Sequence, residues 1–150
     1  MSYQEKNITV YLVSYLLIVG YYLVNLSQML QEGALVSSRV YGLWVMVIVT
    51  SIIVNIIASI LTNIVLSIFQ AIKARTNEVE RFIEDERDKL IELKGMRSAY
   101  ITFSIGVLVS VLFFVFGQPA LVMISMIVFF AILAEILGAI SQIYLYRRGF

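Results

Sequence analysis

Glu135 is the residue whose type and position say most about chemistry. It is the one carboxyl or cationic side chain within the four long apolar stretches of the chain, residues 8–26, 41–72, 99–116 and 120–146. Counted from Ala120 at about 1.5 Å per helical residue, it lies roughly 22 Å into the fourth stretch, near the middle of a bilayer. An acid at that depth costs roughly 2.5–3.5 kcal/mol on insertion scales. It either keeps its proton or is compensated by polar neighbours. Ala131, Ala134, Gly138 and Ala139 surround it at helical spacing, as expected where another helix packs closely. Two readings follow. Glu135 is a site for a proton, cation or ligand, or it makes one interhelical hydrogen bond that holds the helices together.

The second stretch carries a polar ridge. Ser51, Asn55, Ser59, Asn63 and Ser67 recur every four residues, which places them along one side of a helix. Asn55 is the fifteenth residue of its stretch and Glu135 the sixteenth of its own, and both stretches run in the same direction across the membrane. Asn55 and Glu135 should therefore lie at similar depth. The ridge, with Asn55, Ser59 and Asn63 at its centre, either knits the bundle together or forms a polar cavity shared with Glu135, and the first is the preferred reading. Thr102, Gly106 and Ser110 make a small-residue ladder on the third stretch, read as helix packing. Most tyrosines fall near the ends of the stretches, where aromatic belts are normal. Tyr11 and Tyr15, one helical turn apart, are read the same way, with an inward orientation as the alternative.

Other chemistries lack their residues. The chain has no cysteine and no histidine, which removes thiol nucleophiles, disulfides, Cys/His zinc sites and imidazole bases. A lipid-modifying enzyme would need an aspartate cluster at a membrane face, a histidine or a serine elbow, and none is present. A net charge of +1 gives no footprint for nucleic acid. The expectation is a protein that is not an enzyme and carries no cofactor or metal.

The elements that position Glu135 follow from hydropathy. Of 150 residues 61% are hydrophobic and only 14% are charged, and the mean hydropathy is +0.93. Soluble domains are about a quarter charged. A helix needs about 20 residues to cross the hydrocarbon core, and continuous apolar runs favour helices over an alternating barrel. The prediction is an all-α integral membrane four-helix bundle forming one domain over residues 1–150. Gly117-Gln118-Pro119 should turn the chain between the last two spans. Ten of the eleven basic residues fall before the first span, between the second and third, or after the fourth, and only Arg39 lies on the other side. By the positive-inside rule both termini and residues 73–97 face the cytoplasm.

That cytoplasmic segment has a pattern of its own. Asn77 and Glu80 resemble a capping box, and Gly95 is a suitable stop. Val79, Phe82, Ile83, Leu90 and Leu93 share one face, with Glu86 placed within it. The spacing predicts an amphipathic cytoplasmic helix over residues 78–94 that docks on its own bundle, the membrane surface or a partner. Seven acids balance seven bases across 73–97, so anionic lipid should attract it weakly.

The stretch Asp85-Glu86-Arg87-Asp88-Lys89-Leu90-Ile91-Glu92-Leu93-Lys94, followed by Arg97 and Ala99-Tyr100, resembles a loose group of small uncharacterised prokaryotic membrane proteins. These carry a D-E-R-x-x-x-I-x-x-K segment before a transmembrane helix and are often encoded beside a helix-turn-helix regulator. The match covers about sixteen residues. The resemblance implies a bacterial or archaeal plasma membrane and a regulatory partner, and no activity comes with it.

Two functions stand against each other. The first is a non-enzymatic regulatory, sensing or immunity-type membrane protein that contacts a cytoplasmic protein through the helix at 78–94. The second is a small proton- or cation-coupled transporter that works as a homodimer through Glu135. Four-span multidrug exporters also have a membrane-embedded glutamate, but in their first span, where this chain has none.

Overall fold

A computed structural model describes residues 3–31, 37–74 and 86–148. They form four helices: α1 (Tyr3–Gln31), α2 (Ser37–Ala74), α3 (Glu86–Val115) and α4 (Ala120–Arg148). All four are long and apolar enough to cross a membrane. Helices satisfy every backbone donor and acceptor internally, which is what a chain this apolar requires in lipid. Most large apolar side chains are accordingly exposed, Leu17 at 71% and Phe116 at 82% among them, and would face acyl chains.

The turn between α3 and α4 is built as its sequence suggests. Gly117 adopts φ +91°, its N–H donates to Phe114 O at 3.0 Å, and the Gln118 N–H reaches Phe113 O at 3.2 Å. This pair of bonds is a Schellman cap, which needs a left-handed residue that glycine supplies without strain. Pro119 then starts α4 by accepting from Val122 N–H at 2.9 Å.

Cross-helix contacts fix the directions. Tyr21 meets Met46 and Tyr11 meets Asn55, so α1 and α2 are antiparallel. Glu5 reaches Arg147 and Tyr22 reaches Ser125, so α1 and α4 are antiparallel too. Both ends of the described chain therefore lie at the same end of the bundle. The packing centres on α4, which touches α1, α2 and α3. Among the described residues α3 packs on α4 alone, so the bundle is open between α3 and the α1–α2 pair.

The core fills the half of the bundle away from the termini. Tyr15, Ile18 and Tyr22 of α1, Val40, Leu43, Trp44 and Val47 of α2, and Ile132 and Ile136 of α4 form one buried cluster. Ser125 ties it together: its carbonyl accepts from Tyr22 Oη at 2.7 Å and its Oγ from Trp44 Nε1 at 3.2 Å. Tyr15 and Tyr22 are thus core residues, not the interfacial anchors their positions suggested. An aromatic ring with one hydroxyl suits a buried site as soon as a neighbouring helix offers an acceptor.

The expected stop at Gly95 is corrected. α3 runs from Glu86 to Val115 without a break, so the described part of the proposed 78–94 helix is continuous with the third span. Gly95 is buried against α4, where an added Cβ would strike the Gln142 side chain. The glycine serves close approach, not termination. Asn77, Val79, Glu80, Phe82 and Ile83 lie outside the described residues, and Glu86 begins α3. Leu90 and Leu93 are 49% and 57% exposed, whereas Ile91 is fully buried. The face of this segment that packs on the bundle is therefore the Ile91–Gly95 face. The small-residue ladder does face α4: Gly106 and Ser110 are buried, and a Cβ on Gly106 would land on Phe130.

Candidate functional site

α4 turns Ile132, Ala134, Ile136, Gly138 and Ala139 into buried packing while Glu135 stays exposed. The side chain projects beside α1. Tyr11 Oη lies 2.8 Å from Glu135 Oε2 and 3.1 Å from Asn55 Oδ1, so one hydroxyl bridges acceptors on two other helices. A hydroxyl has one proton to donate, and the shorter, carboxyl-directed contact is the stronger of the two. Asn55 Nδ2 donates to Tyr15 Oη at 2.8 Å and to Ser51 O at 3.1 Å. The two tyrosine rings, one helical turn apart on α1, are 4.6 Å between centroids. Tyr11, Tyr15, Asn55 and Glu135 form one polar network across three helices.

The counting argument that placed Asn55 level with Glu135 holds in this geometry, with Tyr11 between them. Ser59 and Asn63 belong to α2, but their side chains lie outside the described residues, as does that of Ser67. Among the described residues Tyr11 is the only hydrogen-bond partner of Glu135, and no cation pairs with it. Arg147 and Arg148 of the same helix are about 18 Å away along the axis, and Arg147 lies 3.4 Å from Glu5 at the terminal end of α1.

The network opens on a groove of about 470 Å³ between α3 and the α1–α2 pair, with α4 as its floor. Its polar lining comes from Asn7, Tyr11, Asn55, Glu92, Glu135 and Gln142. Ile8 and Met96 and the small residues Ala58, Gly95, Ala99, Gly138 and Ala139 complete the lining. The reason for the glycines lies in the close approach of α3 to α4. A Cβ on Gly138 would sit 3.2 Å from both Gly95 O and Ala99 Cβ. Gly138 thus lets the α3 backbone come close at Gly95. The groove occupies the half of the bundle nearer the termini, and the Tyr22–Trp44–Ser125 core lies in the other half.

Glu92, Gln142 and Asn7 were not singled out by sequence reasoning. Gln142 had a readable signal, since 135, 138, 139 and 142 follow the one-face spacing of a helix. Glu92 and Asn7 enter only because α3 and α1 flank α4 in space. Tyr11 turns inward instead of anchoring an interface.

Chemically, the deep end of the groove presents a carboxyl, an amide oxygen and one phenol oxygen, and among the described residues no base lines it. Oxygen donors around one acid suit a proton, an ammonium group or a hard monovalent cation. Among the described residues no group of three His, Cys, Asp or Glu side chains is arranged to hold a metal ion. No protein-family model, curated protein or solved structure matches the chain.

Proposed function

We infer that this chain is a multi-pass membrane protein that binds a small cation-bearing solute at Glu135 and exchanges it for a proton. The observation that carries the reading is a carboxyl midway along the apolar α4, bonded to Tyr11 and open to a polar groove. A purely structural glutamate would be expected to bury its carboxyl between helices, whereas an acid that must meet both water and solute needs an open side. Intramembrane acids that line water-filled cavities mark ion and substrate pathways. In this reading both termini face the cytoplasm of a prokaryotic cell, because the basic residues cluster at that end, and the groove opens inward. The solute is bound and moved, with no bond made or broken.

A regulatory role with a cytoplasmic protein partner is the second reading. The exposure of Leu90 and Leu93 favours it, since two large apolar side chains at the polar end of α3 invite a contact.

The test is equilibrium binding of hexylammonium to the full chain in lipid nanodiscs. Saturable binding that is lost in Glu135→Gln, with an unchanged melting temperature, supports the inference. Non-saturable partitioning that is the same in both proteins would contradict it.

A further inference from the structure

Among the described residues two carboxyls line the groove, and they stand at its two ends. Antiparallel packing of α3 on α4 brings Gly95 to Gln142 and Gly106 to Phe130. In that register Glu92 lies level with a point about ten residues beyond Glu135, or roughly 15 Å nearer the terminal end. Glu135 is at the deep end beside Tyr11, and Glu92 is at the mouth. Between them the floor is made of Gly95, Ala99, Gly138 and Ala139. Ile8 and Met96 add apolar lining, and among the described residues no base lies along this track.

We propose that the groove takes an elongated aliphatic dication, with one ammonium group at Glu135, the other at Glu92, and the alkyl chain along the Gly95–Gly138 floor. The proposal rests on Glu135 being a cation site and adds the class of solute. An anionic ligand would meet two carboxyls and, among the described residues, no base. A compact monovalent cation would use Glu135 alone and leave Glu92 without a role. A neutral ligand would leave both charges unbalanced. A bulky ring system would not lie flat where α3 and α4 approach within glycine contact. A flexible chain with a charge at each end satisfies both acids and fits the narrow floor. Asn7 and Gln142, which line the same groove, supply side-chain oxygens that can accept from ammonium N–H groups.

The test compares diaminodecane with decylammonium, which share one chain length and differ in the second charge. Each is titrated into the full chain in nanodiscs of neutral lipid. A second charge-assisted contact should make diaminodecane bind roughly tenfold more tightly or better. Diaminobutane, too short to reach both acids, should bind no more tightly than a monoamine. Glu92→Gln changes an exposed side chain and should remove the tenfold advantage of diaminodecane while leaving decylammonium binding unchanged. Glu135→Gln should weaken both compounds. If diaminodecane shows no advantage, or Glu92→Gln weakens both compounds equally, the dication assignment is wrong and Glu135 can remain a cation site. If Glu135→Gln leaves both affinities intact, the cation site itself is wrong, and the dication falls with it.

Discussion

Removing the Tyr11 hydroxyl should uncouple α1 from Glu135 at a cost that the geometry sets. Tyr11→Phe keeps the ring stacked on Tyr15, at 4.6 Å between centroids, and deletes only the oxygen 2.8 Å from Glu135 Oε2 and 3.1 Å from Asn55 Oδ1. Side-chain hydrogen bonds between membrane helices average about 0.6 kcal/mol and reach about 1.7, while bonds to ionised groups reach roughly 1.5–3 kcal/mol. Glu135 opens on the groove, so water can replace part of what the hydroxyl gave. The exposure decides between the ranges, and the expected coupling between Tyr11 and Glu135 is about 0.5–1.5 kcal/mol. The assay is a double-mutant cycle of Tyr11→Phe and Glu135→Ala, with unfolding free energy measured by steric trapping in bicelles. Alanine is used because glutamine would keep an oxygen for Tyr11 to meet. Independent sites add within about 0.3–0.5 kcal/mol. A coupling inside that margin would refute the claim that the two side chains act as a unit.

Other expectations are equally direct. Gly106→Ala places a Cβ on Phe130 and should destabilise the α3–α4 pair by about 1–3 kcal/mol. Gly20→Ala, with open space around it, should leave the melting temperature unchanged or raise it. A higher melting temperature for Gly106→Ala would contradict the packing. Arg147→Ala should cost under about 1 kcal/mol in chemical unfolding, because the guanidinium is 67% exposed where it meets Glu5 and water screens the pair. Single cysteines at Tyr3 and Arg148 should react with an impermeant thiol reagent from the same side of sealed vesicles, and a cysteine at Gln118 from the other. Labelling of Tyr3→Cys and Gln118→Cys from one side would overturn the arrangement of the helices.

Much of this fold is legible in the sequence because lipid leaves few options. Four apolar runs of sufficient length become four helices once water is unavailable to their backbones. Gly117 and Pro119 mark the turn between α3 and α4, since left-handed φ and a missing N–H have few other uses there. Depth is legible too, and counting residues along parallel spans put Asn55 level with Glu135. Contacts made between helices were less accessible. Gly95 looks like a helix end in isolation, and only the Gln142 side chain beside it explains a glycine in mid-helix. Tyr11, Tyr15 and Tyr22 carry the composition of a membrane belt, and the hydrogen-bond partners that draw them inward sit on α2 and α4, at least 40 residues away in the chain. Glu92 belongs to the groove through the pairing of α3 with α4, which no periodicity within α3 records.

The central claim is that Glu135 meets water through the groove in the half of the bundle nearer the termini. Because the chain has no native cysteine, single cysteines placed along α4 report this directly. In sealed proteoliposomes of known orientation, Gln142→Cys and Glu135→Cys should react with a small water-soluble thiol reagent added from the terminal side. Ile132→Cys and Ser125→Cys, set in the Tyr22–Trp44 core, should react from neither side. If Ile132→Cys reacts as fast as Gln142→Cys, or Glu135→Cys is inert, the groove is not the path to Glu135 and the account fails.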